Sequence, residues 1–564
     1  MSEIPNFSTL KVRRPDLSVL MEQASDRTRR WDSASDAESV VALVEEWQKD
    51  RAELEQEASI AYARFSQDTA CEKSKADKSF FDDIEPDLKA MHQAIIRRLV
   101  NSEHRSVLEK RFGRHVFDGW ELELTTFDPI IADDQREISR LCNRYKELMA
   151  SVRVNFEGRE WTLSTIRART GDASRDTRKG SQVAMQESLL PHVEEFDSLY
   201  DRLTKVRHGL ASKMDYQSYT PLGYANMGRT DYGPDQVANF RDQVREHLVP
   251  LCSKIWTQRG RNLGVDRLAF WDESVRDTQG EPCPKGDRAW MVKQATGMFD
   301  SMGPEFGRFF RLLETHELMD LDSREGKQGG GFCMDLAALK VPFIFANFAG
   351  TQADVKVFTH ECGHAYQNWK ASQVQPLLEY RWPTSEAAEI HSMGLEFLTH
   401  PYMDLFFGDD AQRFRDGHLE GALLFIPYGC AIDHFQHLVY ANPSASGDDR
   451  AEMWKECERL YLPHRNYAEL PLYEGGRFWQ RQRHIYLYPF YYIDYCLAQT
   501  VALQLWHGAT IDRPGTMERY EELCRLGGSL AFTELLQKVD FRSPFTSGSL
   551  ETVVGAAADA LGLN

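Results

Sequence analysis

Apolar residues recur at three- and four-residue intervals through most of the chain, the spacing of helices with one buried and one solvated face. From Ser33 to about Thr69, the residues Val40, Val41, Leu43, Val44 and Trp47 punctuate a run rich in Ala, Glu, Leu and Gln, which predicts a long amphipathic helix. A second helix is predicted from about Ile84 to Asn101, and helical patterning resumes from about Gln186. Two stretches differ. Between Val152 and Ile166 the apolar positions alternate, first at Val152, Val154 and Phe156 and again at Trp161 and Leu163, around Glu157-Gly158, which predicts a β-hairpin. Val341–Phe348, VPFIFANF, is a continuous apolar run preceded by Gly329-Gly330-Gly331, and predicts a strand. Breaks near Thr230–Pro234 and Gln279–Gly286 read as loops. The pattern is that of a mainly α protein with small β elements and no internal repeat. No shift in composition marks a boundary; we place one near residue 190, dividing a mostly helical region 1–190 from 191–564.

Composition narrows the function classes. Of 564 residues, 42% are hydrophobic, enough for a sizeable core. Lys and Arg total 67 against 86 Asp and Glu, a net charge of −19. Such acidity argues against a nucleic-acid binder, which needs a basic footprint, and against docking to an anionic membrane. No apolar run reaches membrane-spanning length, and the N-terminal MSEIPNFSTLKVRRPD has no signal-peptide core. The ten cysteines form no CxxC pair and read as reduced, mostly buried thiols, so a cytoplasmic protein is expected.

The decisive motif is Thr359-His360-Glu361-Cys362-Gly363-His364. On a helix, residues four apart share a face with Cβ atoms about 5–6 Å apart. Two imidazoles so placed can share one Zn²⁺ at about 2.0–2.1 Å each. Glu361 is offset from that face and suits a general base acting on a water. Random placement of residues would produce HExxH only about 0.04 times in this chain, so two ordinary hydrogen-bonded histidines are the weaker reading. A helix here is expected to start at the capping-box-like Thr351-Gln352-Ala353-Asp354. Val355, Phe358, Cys362, Ala365, Tyr366 and Trp369 form its apolar stripe, with His360 and His364 on the other side. Other histidines fit less well: His316 has Asp320 where a partner would stand, and His434 and His437 have no glutamate base between them.

A catalytic zinc commonly takes a third protein ligand. A third histidine of the metzincin kind is excluded, because Lys370 and Gln367 occupy its motif positions. The downstream carboxylates are Glu379, Glu386, Glu389 and Glu396. Pro383-Thr384-Ser385 reads as a helix start and Pro401 as a stop, and Glu386, Glu389, Met393 and Glu396 share one face between them. Glu386 lies in the first turn, where a carboxylate complements the helix dipole. Glu389 is better placed as a ligand, and Glu396 suits a role behind a ligand histidine. Spacing alone leaves the choice open.

HECGHAYQ at 360–367, with Glu389-Ile390-His391-Ser392 and Glu396, resembles the thimet oligopeptidase and oligoendopeptidase F family of zinc metallopeptidases. The likeness implies His360, His364 and Glu389 as ligands of one zinc, since the family's third ligand lies 25 residues beyond the second histidine. Cys362 stands where the family usually has a bulky apolar residue. GGGFCMDL and VPFIFANFAGTQADV resemble the segment preceding the family's zinc helix, where a strand edge grips the substrate backbone. That makes Phe345, Ala346 and Asn347 candidate substrate contacts, although a buried strand would show the same apolar run. Gly329–Gly331 is either a mobile loop over the cleft or an ordinary turn. Residues 481–495 carry His484 and five tyrosines between Tyr486 and Tyr495. Composition favours an aromatic core stripe, whereas the resemblance implies His484, Tyr491 and Tyr495 as oxyanion-stabilising residues, with Tyr488 and Tyr492 contacting substrate.

The resemblance thus implies an elongated, mainly α body with a deep substrate channel, its β elements lining the cleft, and a catalytic region over 191–564. The expected activity is zinc-dependent endopeptidase cleavage of short unfolded oligopeptides, with Glu361 as base. The alternatives are a zinc aminopeptidase or carboxypeptidase, and a catalytically silent peptide-binding protein.

Overall fold

The computed structural model describes residues 4–563. Among these, helices carry most of the chain, and five short strands form two small sheets. Helix α1 spans Leu17–Asp32, α2 Ala37–Gln67 and α3 Glu72–Val100. The Asp36 carboxylate caps α2 by accepting from the Ser39 N–H at 2.8 Å, close to the expected start. α1 was not legible in the periodicity: only Arg27 and Trp31 in it are buried. α3 begins well before Ile84 because its first turns are polar and solvated, and it runs through Pro86.

The hairpin forms where alternation predicts it, β1 (Arg153–Phe156) antiparallel to β2 (Arg159–Thr162). Glu157 and Gly158 both have positive φ, 53° and 73°, as a two-residue turn matching strand twist requires. Val154 and Trp161 lie opposite each other and pack with Ile166 and Met185.

The second sheet contains β3 (Met319–Asp322), β4 (Phe332–Leu336) and β5 (Val341–Phe348) in the order β3-β5-β4. β5 runs parallel to β3 and antiparallel to β4. It is therefore the central strand, which explains why its residues are almost all buried. Helix α4 (Gln352–Val374) follows, and α5 (Ser385–Leu398) comes after a short connection.

The chain groups into two compact units, neither continuous in sequence. The first takes the chain up to Leu124 with Pro282–Gln412 and Val501–Phe541; the second takes Thr125–Glu281, Arg413–Thr500 and the chain from Arg542. The division at 190/191 falls inside the second unit, at the 3-10 turn Leu190–His192. In the first unit, Leu377 and Tyr380 from the α4–α5 connection are seated in a core with Trp47, Leu99, Phe117 and Trp120. Glu379 beside them accepts from Arg51 at 2.6 Å, Gln48 at 2.9 Å and Trp120 at 3.2 Å. The N-terminal helices thereby anchor the link between the two helices that carry the motif. No helix among the described residues is long and apolar enough to cross a membrane, and no cysteine is in a disulfide.

Candidate metal centre

α4 starts at the anticipated cap. The Asp354 carboxylate accepts from the N–H groups of Ala349, Gly350 and Thr351 at 2.9, 2.6 and 2.9 Å, tying the end of β5 to the helix start. The stripe residues Val355, Phe358, Cys362, Ala365, Tyr366 and Trp369 are buried, and they leave the two histidines on the face toward α5. The helices meet at Gly363. A Cβ there would lie 2.5 Å from the His391 carbonyl oxygen and 2.6 Å from the Ser392 Cα, so only glycine permits this approach.

That contact brings Glu389 to the histidines. Its Oε2 lies 3.4 Å from His360 Nε2 and 3.6 Å from His364 Nε2. Two ligands each about 2.05 Å from a tetrahedral zinc are about 3.3 Å apart, so the two Glu389–histidine separations fit the ion, and all three ligand atoms lie within 4.8 Å of one another. His360, His364 and Glu389 are the one such cluster found among the described residues. The Ser392 hydroxyl donates to Glu389 Oε2 at 2.9 Å and steadies the carboxylate. His360 Nδ1 pairs with Glu396 Oε1 at 2.7 Å, which leaves Nε2 to face the cluster. Glu379, one of the four carboxylates weighed, is committed to Arg51, Gln48 and Trp120. Burial works against its charge, but Arg51 dominates and holds it at about 2.

The electrostatics prepare a cation site. Burial opposes protonation of His360, yet its bonds to Glu389 and Glu396 outweigh this and raise its pKa well above the usual histidine value. Burial drops His364 to about 4, so it is neutral with its lone pair available. Burial also favours the neutral form of Glu389, but the His360 hydrogen bond holds it below the usual carboxylate range. A proton on His360, which Glu389 and Glu396 favour, therefore competes with a cation for Nε2. Metal uptake is expected to release it, and apparent affinity to fall about tenfold per pH unit below the His360 pKa. Calorimetric titration in two buffers of different protonation enthalpy checks this; no net proton release near neutral pH would contradict it.

Glu361 is buried, its Oε2 has no protein partner, and burial pushes its pKa up to about 7. A bound dication would pull that value down. Cys362 is fully buried and its thiol is pushed up by burial, so it carries no thiolate chemistry. His437 and His434 make ordinary contacts with the hydroxyls of Tyr224 and Tyr461, at 3.1 and 3.2 Å.

The strand expected to offer an edge has neither side free. Phe345 and Ala346 are completely buried in β5, whose two sides are taken by β3 and β4. The Asn347 amide donates to the carbonyls of Gln328 and Gly330 instead. The strand with an open side next to the motif is β4, which has β5 on one side only and packs on α4. Its five residues carry too little periodicity to be read from sequence; the preceding glycine run was the available signal. Gly331, the residue before β4, lies beside Glu361, where an added Cβ would be 3.3 Å from Oε1. Trp382, also missed, stands with its ring 6.2 Å from that of His364.

In the second unit the predicted aromatic segment forms one cluster. His484 lies 5.9 Å from Tyr491, 4.9 Å from Tyr492, 6.0 Å from Tyr488 and 6.3 Å from Tyr495, ring centre to ring centre. The Tyr495 hydroxyl donates to that of Tyr491 at 3.1 Å. His484 Nδ1 meets the Gln482 amide nitrogen at 2.8 Å, and burial lowers the histidine to about 4. Phe490 turns the chain with φ 63°, held by its N–H donating to Gln436 and its carbonyl accepting from Arg229.

Comparison with known proteins completes the picture. The profile of the Peptidase M3 N-terminal domain matches residues 7–127, and that of Peptidase family M3 matches residues 311–554. The chain is similar to the structure of a candidate oligoendopeptidase F, with 41% identity, 99% of each chain covered and a TM-score of 0.91. The same figures hold for PZ peptidase A solved with an inhibitor. A candidate oligoendopeptidase F from Bacillus anthracis is 35% identical over 100% of this chain and 99% of its own, with a TM-score of 0.87. No match was found among curated proteins.

Proposed function

Since the chain belongs to peptidase family M3 and is a metallopeptidase, we propose that it is a zinc-dependent endopeptidase acting on short, unfolded oligopeptides. The observation that carries this reading is the convergence of His360, His364 and Glu389, with Glu389 at tetrahedral-ligand separation from both histidines and the buried Glu361 carboxylate next to them.

When bound to these three residues, zinc supplies Lewis acidity toward the scissile carbonyl and toward water. The chain does the rest. Glu361 takes the proton of the attacking water at its unpartnered Oε2 and delivers it to the departing amine. Glu396 holds His360 in the tautomer that presents Nε2. The open side of β4 pairs with the peptide backbone and so accepts many sequences. The resemblance assigns oxyanion stabilisation to His484, Tyr491 and Tyr495 and substrate contact to Tyr488 and Tyr492. Their support is the resemblance and their convergence into one cluster.

Strand pairing demands an extended substrate. Peptides of about five to twenty residues, blocked at both ends, are expected to be cut internally, while a folded domain of matched sequence is spared because it must first open locally. Mass spectrometry of the products decides. Cleavage that requires a free terminus would identify an exopeptidase, and equal rates on folded protein would end the oligopeptide reading.

A further inference from the structure

Gly329–Gly331 is the kind of segment least able to hold itself still, because glycine loses the most backbone freedom on ordering. Gly330 has φ +99°, a conformation that favours glycine. Yet the run is held from outside. Asn347 Nδ2 donates to the Gln328 carbonyl at 2.9 Å and to the Gly330 carbonyl at 2.8 Å, so both amide hydrogens are used. The fully buried Lys327 ammonium shares its three donors among the carbonyls of Asp320, Asp322 and Ala346 and the Asp320 carboxylate, all at 2.6–3.1 Å. On the other side, the Gln328 N–H donates to the Ser66 carbonyl at 2.8 Å. The result is a strap whose last residue, Gly331, lies against Glu361 and leads directly into β4.

We propose that Asn347 is a positioning residue for the peptidase reaction: by bridging the Gln328 and Gly330 carbonyls it fixes the glycine run as a wall beside Glu361 and as the origin of the β4 edge. This rests on the reading of Glu361 as base and β4 as the substrate strand. The chemistry explains the residue. Two diverging donors on a short neutral side chain are what two carbonyls two residues apart need. Aspartate has the shape but no donor, and would set a carboxylate against two carbonyl oxygens. A strand edge free to wander by about 1 Å relative to the base can cost about 10²-fold in rate.

The test compares Asn347→Ala and Asn347→Asp with the parent enzyme for kcat, KM, zinc content, melting temperature and amide exchange. Kcat is expected to fall about 10–100-fold, more for Asp than for Ala, with zinc and melting temperature retained. Exchange should quicken at 328–331 and not in β5. Gly331→Ala approaches the same wall from the other side, its Cβ 3.3 Å from Glu361 Oε1, and should also lower kcat with zinc bound. In an Glu361→Gln background the Asn347→Ala effect should shrink, since the two act through one another. Normal kcat with a loosened strap would overturn the proposal, as would loss of kcat only together with zinc or the fold. If Glu361→Gln alone stays active, the base assignment fails instead, while amide exchange still reports whether Asn347 holds the strap.

Discussion

Replacing Glu361 by glutamine is expected to lower kcat/KM by about 10²–10⁴-fold while zinc stays bound. Glutamine matches the carboxylate in shape, so the buried site should accept it without moving α4. The three proposed ligand atoms are on other residues, and Glu361 makes no protein hydrogen bond at Oε2 whose loss could disturb them. What disappears is the ability to take a proton from water and return it to the amine. A structural role would instead show up as lost zinc or a lowered melting temperature. Kinetics on a blocked peptide, with zinc measured on the same sample, is the check. Near-normal turnover in zinc-loaded enzyme would remove Glu361 from the mechanism.

Three of the downstream carboxylates should separate by metal affinity. Glu389→Ala removes one corner of the ligand triangle and is expected to weaken zinc binding by more than about 100-fold. Glu396→Gln leaves the triangle intact but exchanges the His360 partner for a neutral one, for which about 10–100-fold is expected. Glu386→Ala should leave affinity nearly unchanged. Glu386 is buried in the first turn of α5 but lies outside the cluster, so its loss should appear in stability. Competition against a chelator ranks the three variants. Zinc loss in Glu386→Ala alone would mean that the ligand face of α5 is misassigned by one turn.

The sequence by itself determined whatever depends on a few neighbouring residues. HExxH places two imidazoles on one helical face wherever that helix sits, and the Thr351–Asp354 cap and the Glu157-Gly158 turn follow from equally local chemistry. Glu396 was legible for the same reason, two turns along the face that carries Glu389. Elements with little pattern were not legible: α1 buries only two residues, and β4 is five residues long. Val341–Phe348 was recognised as a strand, but whether it lies at the edge or the centre depends on β3 and β4, which join it through long-range pairing. Only the tertiary structure decided that β5 is enclosed and that the open side belongs to β4. It alone decided that Asn347 faces the glycine run, and that Gly363 lets α5 come close enough to present Glu389. Periodicity reports which face of an element is buried, and says nothing about which distant segment buries it.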